Sequence, residues 1–65
     1  MTLEQALATG LPIYAEYEDA TLVINNDGSL YVGRELLNGK IRFDGYYDYE
    51  RARREYPLDK LNWNV

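Results

Sequence analysis

A chain of 65 residues with no Cys and no His has no disulfide and no soft metal ligand to hold it together, so it folds by packing or by pairing with another chain. A domain this small buries only about 60% of the surface its unfolded form exposes, which makes every core contact count and leaves a homodimer open. The apolar share of 46% and the many aromatics separate it from a disordered chain, even at 28% charged residues. Residues 1–65 therefore read as one small folded domain.

Charge is segregated along the chain. The first 33 residues carry Glu4, Glu16, Glu18, Asp19 and Asp27 and no Lys or Arg, while every basic residue lies between Arg34 and Lys60. The net charge of −4 repels phosphate backbones and argues against direct nucleic-acid binding. The longest apolar run, Leu22-Val23-Ile24, falls far short of the roughly 20 residues that span a bilayer. With no signal-peptide pattern at the N-terminus, the expectation is a cytoplasmic protein without a membrane segment.

Periodicity divides the chain into elements. Thr2 and Gln5 make a capping box ahead of a short helix over residues 3 to 9, which Gly10 closes. From Ile13 the period is two, with Ile13, Ala15 and Tyr17 on a dry face and Tyr14, Glu16 and Glu18 on a wet one. Asn25-Asn26-Asp27-Gly28 marks a hairpin between Thr21–Asn25 and the strand from Leu30 to Glu35, and Asn38-Gly39 marks a second. In the strand from Lys40 to Asp44, Ile41 and Phe43 are expected inward and Lys40, Arg42 and Asp44 outward. Gly33 reads as a bulge and Gly45 as a turn.

Helical character returns over Tyr46 to Tyr56, with Asp48 as N-cap, Glu50 and Arg54 as an i to i+4 pair, and Pro57 as the stop. Leu61, Trp63 and Val65 alternate with polar residues, so the tail suits a last strand anchored by Trp63. The fold class is α+β: an antiparallel meander of four to five strands, a short N-terminal helix and a second helix before the last strand. The expected core is Leu3, Leu7, Ile13, Leu22, Ile24, Leu30, Val32, Ile41, Phe43, Tyr49, Ala52, Leu61 and Trp63.

Without His or Cys, the commonest general base and the thiol nucleophile are missing, and a single small sheet has little depth in which to shift a carboxylate pKa. The expectation is a protein that binds rather than reacts, with no catalytic residue, no metal and no cofactor. The acids also lack the spacing of a calcium loop. Seven tyrosines exceed what so small a core uses, and tyrosine suits interfaces because it offers a large ring with a polar tip. Glu16, Glu18 and Asp19 with Tyr14, Tyr31, Tyr46 and Tyr47 are the candidate surface for a protein partner. By analogy alone, this is how compact inhibitory and accessory proteins of phages and mobile elements act. A solubilising face that keeps a sheet edge from foreign pairing is a sufficient reason for the acids, and the rings are also explained as cover for the sheet's second face against a helix.

The alternative is a small homodimeric module that holds a nucleotide or another anion through Arg42, Arg51, Arg54 and Tyr56, since guanidinium forks and aromatic rings suit phosphates and bases. Glu50 and Glu55 interleave with those arginines and weaken that field, so a solvated helix face accounts for the same residues.

Overall fold

The computed structural model describes residues 1–46 and 48–65. Helix α1 spans Leu3–Leu7, strands β1 to β4 span Ile13–Tyr17, Ala20–Ile24, Leu30–Glu35 and Ile41–Tyr46, and helix α2 spans Tyr49–Glu55. A 3-10 turn over Leu58–Lys60 follows. The four strands lie in sequence order in one antiparallel sheet, as an α+β meander. No helix is long and apolar enough to cross a membrane, among the described residues.

The local signals for ends and turns are realised as hydrogen bonds. Thr2 and Gln5 close the capping box in both directions, and Gly10 takes a φ of 70° just past the helix. The Asp48 side chain accepts from the Glu50 N–H at 2.9 Å as N-cap of α2. Both helices are shorter than the 3–9 and 46–56 spans their apolar spacing suggests, and Leu7 lies 41% exposed past the buried Leu3 and Ala6. The Glu50–Arg54 pair does not form; among the described residues the ion pairs are Arg42–Asp44 and Arg53–Asp59.

Two matching three-residue loops decide which side chains face in. Gly28 N–H donates to Asn25 and Gly39 N–H to Leu36, both at 2.9 Å, and each glycine has a positive φ. The closing bonds run from Asn25 N–H to Ser29 and from Leu36 N–H to Lys40. In each loop the extra glycine is absorbed as a bulge beside a tight turn. The second loop therefore pairs Glu35 with Ile41, Gly33 with Phe43 and Val32 with Asp44. Ile41 and Phe43 consequently share the face of Gly33 and Tyr31, and both are exposed, contrary to the inward placement alternation alone suggests. Arg42, Asp44 and Tyr46 take the inner side of β4 instead. Gly33 and Gly45 are neither bulge nor turn but ordinary strand positions within β3 and β4.

The inner face of β1 to β3 carries the core: Ile13, Ala15, Ala20, Leu22, Ile24, Leu30 and Val32, closed by Leu3, Ala6, Ala52, Tyr56, Leu58 and Trp63. Tyr49 and Leu61 pack at its margin, half-buried. The tail adds no fifth strand. It reaches the sheet as one bridge, with Tyr14 and Asn64 exchanging N–H to carbonyl bonds at 2.9 and 2.8 Å. Between the 3-10 turn and this bridge, Trp63 is fully buried and its indole N–H donates to the Leu58 carbonyl at 2.9 Å. Its backbone N–H reaches Met1 at 2.8 Å, which ties the tail to the start of α1.

Trp63→Ala is expected to remove about 3–5 kcal/mol of the roughly 5–15 kcal/mol typical of a domain. Trp63→Phe keeps most of the ring but strands the buried Leu58 carbonyl, and should cost about 1–3 kcal/mol. Urea unfolding followed by far-UV circular dichroism checks both. A Trp63→Phe loss within about 0.5 kcal/mol, the scale of a surface change, would show that the indole bond is dispensable.

Candidate functional site: the open face of the sheet

Both helices, the 3-10 turn and the tail pack toward the inner side of the sheet, and among the described residues the opposite side is left open. Register defines that outer side. One row runs Tyr14, Val23, Tyr31 and Gly45 across the strands, and the next runs Glu16, Thr21, Gly33 and Phe43. Ile41 and Glu35 pair beyond them. Tyr14 is 46% exposed, Tyr31 41%, Phe43 59% and Ile41 62%, so this is a wet aromatic surface and not a second core. At its hairpin end Leu36 is half-open and Leu37 wholly so. A contiguous apolar area of this kind on a small monomer is a binding-surface signature.

Two of its rings lie over glycines. A β-carbon added at Gly33 would sit 2.7 Å from Phe43 Cε1, and one at Gly45 would sit 3.3 Å from Tyr31 Cε1. Glycine inside a strand weakens it, and a cross-strand ring laid over the gap restores contact and shields the backbone. The rings therefore lean across to the neighbouring strand and occupy the space a β-carbon would fill, most tightly at Gly33.

Carboxylates border one end of the platform. Asp19, Thr21, Gly33, Glu35, Ile41 and Phe43 line a shallow depression of about 280 Å³, with Glu16 opposite Thr21 on β1. Neither Lys nor Arg stands among the outer-face strand positions. Glu18 is in the β1–β2 turn, with a φ of 55° that is unfavourable for a residue with a β-carbon.

The structure thus brings together Tyr14, Glu16, Asp19 and Tyr31 from the sequence candidates, with Glu18 alongside. Tyr46 lies on the inner side instead, and Tyr47 falls outside the described residues. Phe43 and Ile41, which alternation alone points to the core, and Glu35 belong to this surface; the three-residue loop at Leu37-Asn38-Gly39 is the sequence signal that places them.

The inner tyrosines do a different job. Tyr56 is buried, edge-on to Tyr17 at 6.2 Å and to Tyr46 at 6.5 Å, and its hydroxyl accepts from the Arg34 guanidinium. That bond holds the Arg34 pKa further up. The Tyr46 hydroxyl donates to the Glu55 carboxylate, which together with burial and the Glu55 charge pushes its pKa up to about 12. Tyr49 donates to the Gly28 carbonyl, and burial first, then the Asp27 charge, raises its pKa. Asp27 accepts from the Ser29 hydroxyl at 2.6 Å and the Ser29 N–H at 3.0 Å, which lower its pKa and set the first hairpin loop.

The residues of the anion alternative have different surroundings. Arg42 donates to Asp44 at 3.1 Å, Arg51 shares a depression with Asp44 and Asp48, Arg54 is exposed on α2, and the Tyr56 ring is in the core. Among the described residues no group of three metal-ligating side chains forms. No family model, curated protein or solved structure matches this chain.

Gly33→Ala should cost about 1 kcal/mol, the scale of a cross-strand pair, because it lifts the Phe43 ring. In a Phe43→Ala background the same change should become neutral or stabilising, since strand alanine outperforms glycine by about 0.5–1 kcal/mol. A cycle that adds within about 0.5 kcal/mol would disprove the ring-on-glycine contact.

The raised Tyr46 pKa favours the neutral phenol in the fold, so its contribution is complete below pH 10 and disappears as pH climbs toward 12. Tyr46→Phe should be less stable than the parent below pH 10 and flatter across that window. Absorbance titration of tyrosinate should lose its highest step in the variant; an unchanged titration would refute the Tyr46–Glu55 bond.

Proposed function

We propose that this protein is a non-enzymatic interaction module, of an inhibitory or accessory kind, that takes a protein partner on the outer face of its sheet. The observation that carries the reading is the open platform of Tyr14, Tyr31, Ile41 and Phe43 bordered by Glu16, Asp19 and Glu35. Aromatic area with a polar tip supplies contact energy at small entropic cost. The carboxylate border selects a partner whose own apolar patch has a basic rim, and speeds its encounter. Sheet-face aromatics also serve as stacking platforms for single-stranded nucleic acids, but those sites need cations along the backbone track, and this face has carboxylates there. A chain held together without disulfides suits a reducing compartment such as the cytoplasm.

A photoreactive benzoylphenylalanine in place of Tyr31 should cross-link a partner in host lysate, and the same group in place of Arg53 on α2 should not. Charge reversal at Glu16, Asp19 and Glu35 should abolish the Tyr31 cross-link while thermal stability stays nearly unchanged. Equal labelling from both positions, or labelling that survives reversal, would remove this face as the docking surface.

A further inference from the structure

The two edges of the sheet are not equivalent. The β1 edge is occupied by the tail at Tyr14, through the paired bonds to Asn64. Strand β4 is the other edge and has β3 as its one strand neighbour. The Leu36 N–H to Lys40 carbonyl bond, 2.7 Å long, fixes which way the β4 backbone faces. Even-numbered residues of β4 bond to β3, so Ile41, Phe43 and Gly45 direct their N–H and C=O groups away from the sheet. An edge of this kind is a template for another strand.

The charges on β4 choose among the ways a second copy could pair with it. A two-fold antiparallel pairing centred on residue 42 would set Arg42 against the partner's Arg42, and one centred on residue 44 would set Asp44 against the partner's Asp44. Like charges directly opposite destabilise a strand pair. Centring on Phe43 sets Arg42 against the partner's Asp44 and Asp44 against the partner's Arg42. Together with the internal Arg42–Asp44 bond at 3.1 Å, the four groups then alternate in sign around a square.

The same register also relieves a conflict within one chain. Arg42 lies directly opposite Arg34 on β3, and the partner's Asp44 would flank it on its other side. On the outer face Ile41 falls beside the partner's Gly45, where there is no side chain to clash, and Phe43 falls beside the partner's Phe43. Ile41 and Phe43, the two most exposed apolar residues of the strands, lose exposure at the seam.

We propose that β4 pairs antiparallel with β4 of a second copy of this chain, centred on Phe43 and held in register by two Arg42–Asp44 pairs. The contact is isologous, so its two-fold symmetry closes it on itself as a dimer. It joins the two sheets into one of eight strands and doubles the open aromatic face. The inference stands apart from the identity of any docking partner.

Sedimentation velocity over a concentration series tests it with charge swaps. The wild-type chain should dimerise, and Arg42→Asp or Asp44→Arg alone should weaken dimerisation roughly tenfold or more, because each creates two like-charge pairs. The doubly swapped Arg42→Asp/Asp44→Arg chain should dimerise again. An equimolar mixture of the two single variants should form a heterodimer, since an all-acidic β4 then faces an all-basic one. Circular dichroism confirms that each variant is folded, and the Glu16, Asp19 and Glu35 reversals should leave the dimer intact. A wild-type chain that stays monomeric, a dimer indifferent to either single reversal, or folded single variants that do not pair on mixing would each overturn the proposal.

Discussion

A four-stranded sheet has two faces, and among the described residues the helices, the 3-10 turn and the tail pack on one of them. That one-sided packing organises the molecule. Helix α2, the 3-10 turn and the tail are all spent on the inner face, and they reach it through Trp63, which is fully buried with its indole N–H bonded to Leu58. The same residue bonds back to Met1, so one side chain and its peptide draw the tail and α1 onto the strands together. The same cluster holds small residues beside its large ones: Ala6, Ala15, Ala20 and Ala52 are buried almost completely. In a domain without disulfides, this packing supplies the stability that a staple supplies elsewhere.

The order of elements was legible because the signals that set it are local. Capping boxes, N-caps and Asn-Gly or Asp-Gly loops act over a few residues, and Thr2, Asp48, Gly28 and Gly39 all do what their positions imply. Facing is different, because it depends on parity across a loop. Ile41 and Phe43 alternate as cleanly as any inward pair, yet one glycine absorbed as a bulge at residue 39 sets their side of the sheet. Half of the candidate surface, Tyr14, Glu16, Asp19 and Tyr31, could be read from β1 and β3, where the strands were phased by an unambiguous core. The other half lies on β4, where the apolar phase of Ile41 and Phe43 is the one turned away from the core. Tail pairing was likewise beyond local pattern: Leu61, Trp63 and Val65 alternate like a strand, but after the 3-10 turn at Leu58–Lys60 the tail meets the sheet at the single Tyr14–Asn64 bridge, among the described residues.

Tyrosine is sorted by the same division of faces. Tyr17, Tyr46, Tyr49 and Tyr56 line the inner margin, where each hydroxyl that bonds does so to close a gap between elements: Tyr46 to Glu55, Tyr49 to Gly28, and Arg34 to Tyr56. These polar tips let large rings stand at the edge of a small core without stranding a buried donor. Tyr14 and Tyr31 have no such duty and stand on the open face. Among the described residues, the tyrosine rings in excess of the core are therefore Tyr14 and Tyr31, both on the outer face.

The glycines of β3 and β4 bear on the shape of that face. Each costs the strand about 0.5–1 kcal/mol relative to alanine, a loss that a solvent-facing Thr or Val would avoid at no structural inconvenience. A sheet that needed only solubility would carry polar or branched residues at positions 33 and 45, as it carries Thr21 and Glu35 beside them. Placing glycine there lets Phe43 and Tyr31 lean across the backbone, with ring atoms closer than an added β-carbon would tolerate at Gly33. The ring contact offsets part of the glycine penalty and brings the two rings over the neighbouring strands as a low aromatic surface. Aromatic area of that kind excludes water well only when a second surface is laid against it, and its acidic border fixes the sign of the charge that surface should bring.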